Sequence, residues 1–165
     1  MLRYALTILP VLIMNLFSAG CEHSVQSPAG GQLTYESILN DYSSITNPRE
    51  RWRAYDLKDY VIEQEQLCFC PPPHGFIRLV IKDNKVVEGF KDDGTALTAE
   101  ELQWQKTVDE LFDWIEEAQS TNPRTLDVEY DSKYGYPTRI VYDQSEFMAD
   151  EEETYSLRGL QRIAH

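Results

Sequence analysis

The stretch TVDELFDWIEEAQSTNPRTLDVEYDSKYGYPTRIVYD, Thr107–Asp143, decides the fold class. It opens with Thr107-Val108-Asp109-Glu110, the spacing of a capping box. In that arrangement a threonine hydroxyl and a glutamate three residues on accept each other's orphan backbone N–H groups. Asp109 and Glu110 also suit the positive end of a helix dipole. Val108, Leu111, Phe112 and Ile115 then make one apolar stripe, so a helix is predicted over 107–119. Further on the period changes. Leu126, Val128 and Tyr130 alternate with Asp127, Glu129 and Asp131, the pattern of a half-buried strand. Ser132 to Pro137 reads as a turn containing Gly135, and Thr138, Ile140 and Tyr142 continue as the partner strand.

Upstream, Thr98-Ala99-Glu100-Glu101 repeats the capping spacing, with Leu97 and Leu102 placed for a hydrophobic staple, and predicts a short helix over 98–105. Ile77, Leu79 and Ile81 alternate with Arg78, Val80 and Lys82, and Asp83-Asn84 precede Val86-Val87, a hairpin signal. Tyr60 to Phe69 reads as a strand. Asn47-Pro48-Arg49-Glu50 reads as a helix start, with Asn as cap and Pro at the first helical position, and would turn Trp52 and Tyr55 to the core. Leu33, Tyr35, Ile38, Leu39, Tyr42 and Ile45 recur at helical spacing, which predicts a first helix over 33–45. Tyr155 and Leu157 suggest a last strand after an acidic loop. The order implies an α+β domain over 33–165: a mostly antiparallel sheet with helices packed on one face.

The N-terminus carries different information. Met1-Leu2-Arg3-Tyr4 precedes an almost unbroken apolar run to Phe17, then Ser18-Ala19-Gly20. A short basic start, an apolar stretch and small residues are the marks of a secretory signal peptide over 1–20. The run is short and contains Pro10, unlike a permanent spanning helix. Ala19-Gly20-Cys21 resembles the bacterial lipoprotein signal, although Ser18 stands where that signal usually has leucine. The resemblance implies cleavage before Cys21, a diacylglyceryl thioether on its sulfur and an acylated amine. Each buried CH2 of such chains contributes about 0.8 kcal/mol to membrane attachment. Glu22, rather than Asp, follows the cysteine; by the same resemblance this favours the outer membrane, facing the periplasm, over the inner membrane. Residues 21–32 then form a lipidated start and a Ser-, Pro- and Gly-containing linker. Fully extended, Glu22–Gln32 would reach about 36 Å; as a flexible coil it would average about 18 Å.

Removing residues 1–20 takes away Arg3 and no acid, so the formal charge goes from −13 to −14. Such a balance disfavours nucleic acid and anionic lipid as direct partners of the folded part, because phosphate recognition relies on Lys and Arg. It is compatible with a basic partner or with divalent cations. Ten Tyr, six Phe and three Trp supply the apolar area for a core.

With Cys21 taken by lipid, Cys68 and Cys70 remain. An even pair in an oxidising compartment is most simply a disulfide. In an ideal strand their Cα atoms would be about 6.6 Å apart, at the long end of disulfide geometry; Pro71-Pro72-Pro73 can bend the segment and bring them closer. Three alternatives stay open: a redox-active bridge, a soft-metal site formed by Cys68, Cys70 and His74, and two free thiols. Asp127, Glu129, Asp131, Asp143 and the run Asp150–Glu153 fit no EF-hand spacing and read as solvated faces and a solvated loop. Tyr134, Tyr136 and Pro137 are a candidate recognition edge, set against the simpler reading that Gly135 and Pro137 shape a turn. The three histidines lie in the linker, after the cysteine pair and at the C-terminus, and no nucleophile elbow, zinc-protease, P-loop or dinucleotide motif is present.

Trp52, Tyr60, Cys68-Phe69-Cys70, Val86, Thr107–Phe112, Tyr130-Asp131, Gly135-Tyr136-Pro137 and Asp150-Glu151-Glu152 together resemble an uncharacterised family of bacterial lipoprotein and secreted domains, over about residues 34–160. The resemblance implies a fold boundary and a compartment, and no activity. The expectation is a non-enzymatic binding, inhibitory or scaffolding module held to the membrane by its lipid anchor, with no cofactor and with another envelope protein as a candidate partner. The alternative is a thiol-redox or soft-metal-handling protein working through Cys68 and Cys70.

Overall fold

The computed structural model describes residues 25–26, 32–147 and 151–164. Cys21 and the leader lie outside the described residues. Among the described residues, no helix is long and apolar enough to cross a membrane. Within the segment expected to be a linker, β1 (Val25–Gln26) pairs with β2 (Gln32–Leu33) in a short antiparallel ladder.

The domain is α+β. Its centre is an antiparallel seven-stranded sheet, built from β3 (Tyr35–Glu36), β4 (Tyr60–Leu67), β5 (Ile77–Lys82), β6 (Lys85–Phe90), β7 (Thr125–Tyr130), β8 (Pro137–Asp143) and β9 (Glu153–Ile163). The order is β6-β5-β4-β9-β8-β7. Along one side of β9 runs β4. Along the other, β8 pairs with its first half and β3 with its last two residues.

Two hairpins form where their turns allow. Asp83 and Asn84 both adopt positive φ, 48° and 56°. That pair of left-handed residues is the primed turn whose twist matches the flanking strands. Between β7 and β8, the Asp131 carboxylate accepts the N–H groups of Lys133 (2.9 Å) and Tyr134 (2.6 Å). Gly135 follows at φ 85°.

The helices lie on one face. α1 (Pro48–Tyr55) starts at Asn47, whose side chain accepts the Glu50 N–H at 3.0 Å. α2 (Ala99–Leu102) and α3 (Val108–Ser120) each open with a complete capping box. The apolar stripe of α3, Val108, Leu111, Phe112 and Ile115, packs on Tyr60, Ile62, Leu79, Ile81, Ile140 and Tyr155 of the sheet, with Trp52 and Tyr55 of α1 beside it. Fully burying such side chains contributes about 1.5–3 kcal/mol each. On the opposite face, Val61, Val80, Phe90 and Ile163 form a smaller cluster against Leu33 and Tyr35.

The helix predicted over 33–45 does not form. Tyr35 and Glu36 instead pair with Ile163 and Arg162, filling the sheet position that β8 leaves free. The chain from 37 to 46 is irregular, yet Ile38 and Tyr42 still pack on the core. Their spacing reflects two points of contact rather than a helical face. Locally, the Asp41 side chain accepts the Ser43 N–H at 2.9 Å, the competition by which Asp and Ser favour turns over helix. The other elements appear where they were predicted, with shifted ends. β4 stops at Leu67, and α2 stops at Leu102 rather than 105.

Candidate functional site

Beside those two early stops the helical face is concave. The inward residues of β4 are Tyr60, Ile62, Gln64 and Gln66, so the column changes from apolar to polar along one strand. α3 covers the apolar part. Beyond it lies a cavity of about 340 Å³, within the range of about 300–1,000 Å³ usual for small-molecule sites.

Gln64 and Gln66 line it from β4, and Glu153 and Tyr155 from β9. Trp114 of α3 forms one wall and packs edge-on against Tyr155, ring centroids 5.5 Å apart. The connection between α2 and α3 contributes Trp104, Gln105 and Lys106. Cys70 and Pro71–Pro73 line it as well. Three prolines in a row lack N–H donors and cannot rejoin the β4–β5 ladder, so the chain that left the sheet after Leu67 stays outside it along the cavity.

Two polar atoms at this site are unusual. Gln64 is 2% exposed, and its Oε1 is buried without a hydrogen-bond partner. The Oε2 of Glu153 is likewise buried and unpaired. An unpaired buried polar group costs about 1–3 kcal/mol. Burial raises the Glu153 pKa above its ordinary value; the nearby charge of Lys106 acts in the opposite direction and does not cancel it. Trp104 is 62% exposed, a large indole held partly in solvent beside the cavity.

The sulfurs of Cys68 and Cys70 are in bonding contact, with Cα atoms 5.2 Å apart. That is closer than an ideal strand would bring them, because β4 has ended at Leu67. Cys70 lines the cavity, whereas His74 is exposed and does not line it. Among the described residues, no group of three or more His, Cys, Asp or Glu side chains is placed to hold a metal ion. Of the candidate edge, Tyr136 and Pro137 are buried and Tyr134 is half-buried, its ring 5.1 Å from that of Tyr55. Burial pushes the Tyr136 pKa up to about 12. The turn is pinned to α1: the Arg51 guanidinium donates to the Ser132 carbonyl at 2.6 Å, and a Cβ at Gly135 would stand 2.4 Å from the Pro48 carbonyl oxygen.

Sequence reasoning passed over Gln64, Gln66, Trp104 and Lys106, and it read Glu153 as the end of a solvated loop, whereas that residue opens β9 and is half-buried. A signal for the first two was present, since a period-two reading of 60–67 puts both glutamines on the same face as Tyr60 and Ile62. No local pattern links that strand to Trp104 or Glu153.

An antiparallel sheet with helices on one face, and a partly polar cavity beside the ends of β4 and α2, define a small α+β domain with a concave candidate site. The chain belongs to the family of unknown function DUF6174, which it matches over residues 44–162. Comparison with curated proteins and with solved structures finds no match.

Proposed function

We propose that this chain is a lipid-anchored protein of the bacterial cell envelope, and that its domain is a non-enzymatic binding module with its ligand seated in the cavity beside Cys70. The observation that carries the binding reading is the Gln64 amide oxygen, buried at the cavity and unpaired. That oxygen has almost no accessible surface, so a ligand reaches it only when the amide turns toward the cavity; a hydrogen bond made there removes a standing cost. The anchor rests on the leader and on Ala19-Gly20-Cys21. The acidic balance and the short linker suit a soluble domain held near its membrane.

In this reading Cys68 and Cys70 form a structural disulfide. A bridge closing so short a loop adds little to global stability. Its effect is local: it holds the Cys70–Pro73 wall in place before the ligand arrives, which lowers the ordering cost of binding. Among the prolines and Ile77, the polar and aromatic groups lining the cavity are amides, indoles, a phenol, one carboxylate and one ammonium, a set suited to hydrogen bonding and stacking.

Two measurements test the proposal. Full-length protein made in a bacterial host partitions into the detergent phase, and Cys21→Ala moves it to the aqueous phase; an uncut, aqueous wild type refutes the anchor. The solubilised protein is then followed by hydrogen exchange with and without a host envelope extract. Protection centred on 64–77 and 104–114 supports binding in the cavity. Protection elsewhere, or none, refutes it.

A further inference from the structure

The geometry points to an uncharged saccharide as the ligand class of this cavity, an inference that rests on the binding reading above. The two unpaired buried atoms, Gln64 Oε1 and Glu153 Oε2, are both acceptors and call for donors. The same cavity offers donors in return, from the Lys106 ammonium and the Gln66 amide. A ligand meeting both kinds of group must donate and accept from closely spaced atoms, and vicinal hydroxyls do so. Rotating the Gln64 amide would exchange its buried oxygen for nitrogen. A hydroxyl answers either orientation, whereas an ammonium answers only one.

Charge narrows the class. Lys106 and Glu153 are the one cation and the one anion lining the cavity, and Lys106 acts electrostatically on Glu153. A cationic ligand would sit beside the Lys106 ammonium. An anionic ligand would meet Glu153 and a chain of formal charge −13. A neutral ligand meets neither obstacle. Shape agrees. Trp104 stands partly in solvent at the cavity, with Trp114 and the prolines as further apolar walls. A pyranose ring has an apolar C–H face and a polar rim, so it can cover the indole while its hydroxyls reach the amides and the carboxylate. The volume admits a mono- or disaccharide.

The test uses the full-length, disulfide-intact protein in a detergent without a sugar headgroup. It is titrated calorimetrically with cellobiose, maltose and N,N′-diacetylchitobiose, and with spermidine and glucuronate as charged comparators. Saturable binding of at least one uncharged disaccharide is expected. Trp104→Ala and Gln64→Leu should each weaken it about tenfold, the loss of one stacking face or one good hydrogen bond. Trp104 is exposed, so its variant keeps the fold and serves if Gln64→Leu does not. Co-sedimentation with protein-stripped cell-wall glycan separates the sources: pelleting that a bound disaccharide competes away identifies a polymer ligand, and saturable disaccharide binding without pelleting identifies a free sugar. Saturable binding of spermidine or glucuronate, with no response to any disaccharide, overturns the saccharide assignment and leaves the binding module standing. No heat with any probe overturns the assignment, and the absence of exchange protection in 64–77 and 104–114 then overturns the binding reading as well.

Discussion

Gln64 and Glu153 place a hydrogen-bonding deficit on the inward side of the sheet, where neighbouring positions hold Ile62 and Leu157. An apolar side chain of similar size at position 64 removes the unpaired oxygen. Gln64→Leu should therefore raise stability by about 1 kcal/mol, read as a higher urea midpoint with an unchanged slope. A lower midpoint would mean that the amide is already satisfied in the folded protein. Glu153 makes a pH-dependent prediction. Its folded pKa lies above the ordinary 4.5, so protons favour the folded state and the penalty of charging it is full only above the folded pKa. Facing it are Lys106 and Tyr155 in the cavity, and Glu117 and Glu151 across an adjoining hollow. Glu153→Gln should match or exceed wild type at pH 7, by at most about 1 kcal/mol because the group is partly solvated. That difference should close as pH falls toward 4.5. Urea midpoints across this window read both effects, and a variant weaker at neutral pH would contradict them.

Capping distinguishes the helices from one another. Thr107 is buried; its N–H donates to Glu110 Oε2 at 2.7 Å, and its hydroxyl accepts the Glu110 N–H at 3.2 Å. The next N–H, that of Val108, donates to the buried Tyr60 hydroxyl at 3.0 Å, so the start of α3 is tied to the sheet as well as to itself. Thr107→Ala should cost about 1–2 kcal/mol in thermal or urea unfolding, the upper part of the range for a lost cap. The box of α2 is more exposed. There Glu101 also pairs with Lys91 at 2.9 Å, and chiefly that contact lowers its pKa to about 2. The β7–β8 turn belongs to this scale too. Gly135→Ala asks for a side chain at positive φ in contact with the α1 backbone and should cost about 3 kcal/mol or more. An unchanged melting temperature would show that α1 can move away from the turn.

The whole molecule is organised around its last strand. β9 lies between β4 and β8 and also receives β3, so pieces from both ends of the chain meet on it. Truncation after Arg158 removes Ile163 from the second cluster and the partners of Tyr35, Glu36 and Tyr60. Such a chain should lose cooperative unfolding and amide dispersion in NMR spectra. A folded truncated protein would show that β4–β5–β6 and α3 suffice. Because these pairings are distant in sequence, folding is expected to depend on late, non-local closure.

The elements readable in the sequence are those whose signals are complete within a few residues. The capping boxes at Thr98 and Thr107, the stripe of α3, the Asp83-Asn84 turn and the alternation of β7 and β5 each state their structure through local sterics and hydrogen bonding. Together they sufficed for the α+β class and for helices on one face. The segment 33–45 misled because its apolar spacing fits two architectures, and the choice between them was made by a vacant sheet position beside Ile163, more than a hundred residues away. The cavity was hidden for the same reason. Gln64, Trp104 and Glu153 come from three separated segments, and none carries a mark of the others until β9 inserts beside β4 and α2 ends early. Local chemistry in the sequence thus determined the helices, the turns and the proximity of Cys68 to Cys70. Tertiary structure alone decided which polar side chains would be buried without partners, because burial is a property of what the rest of the chain packs on top.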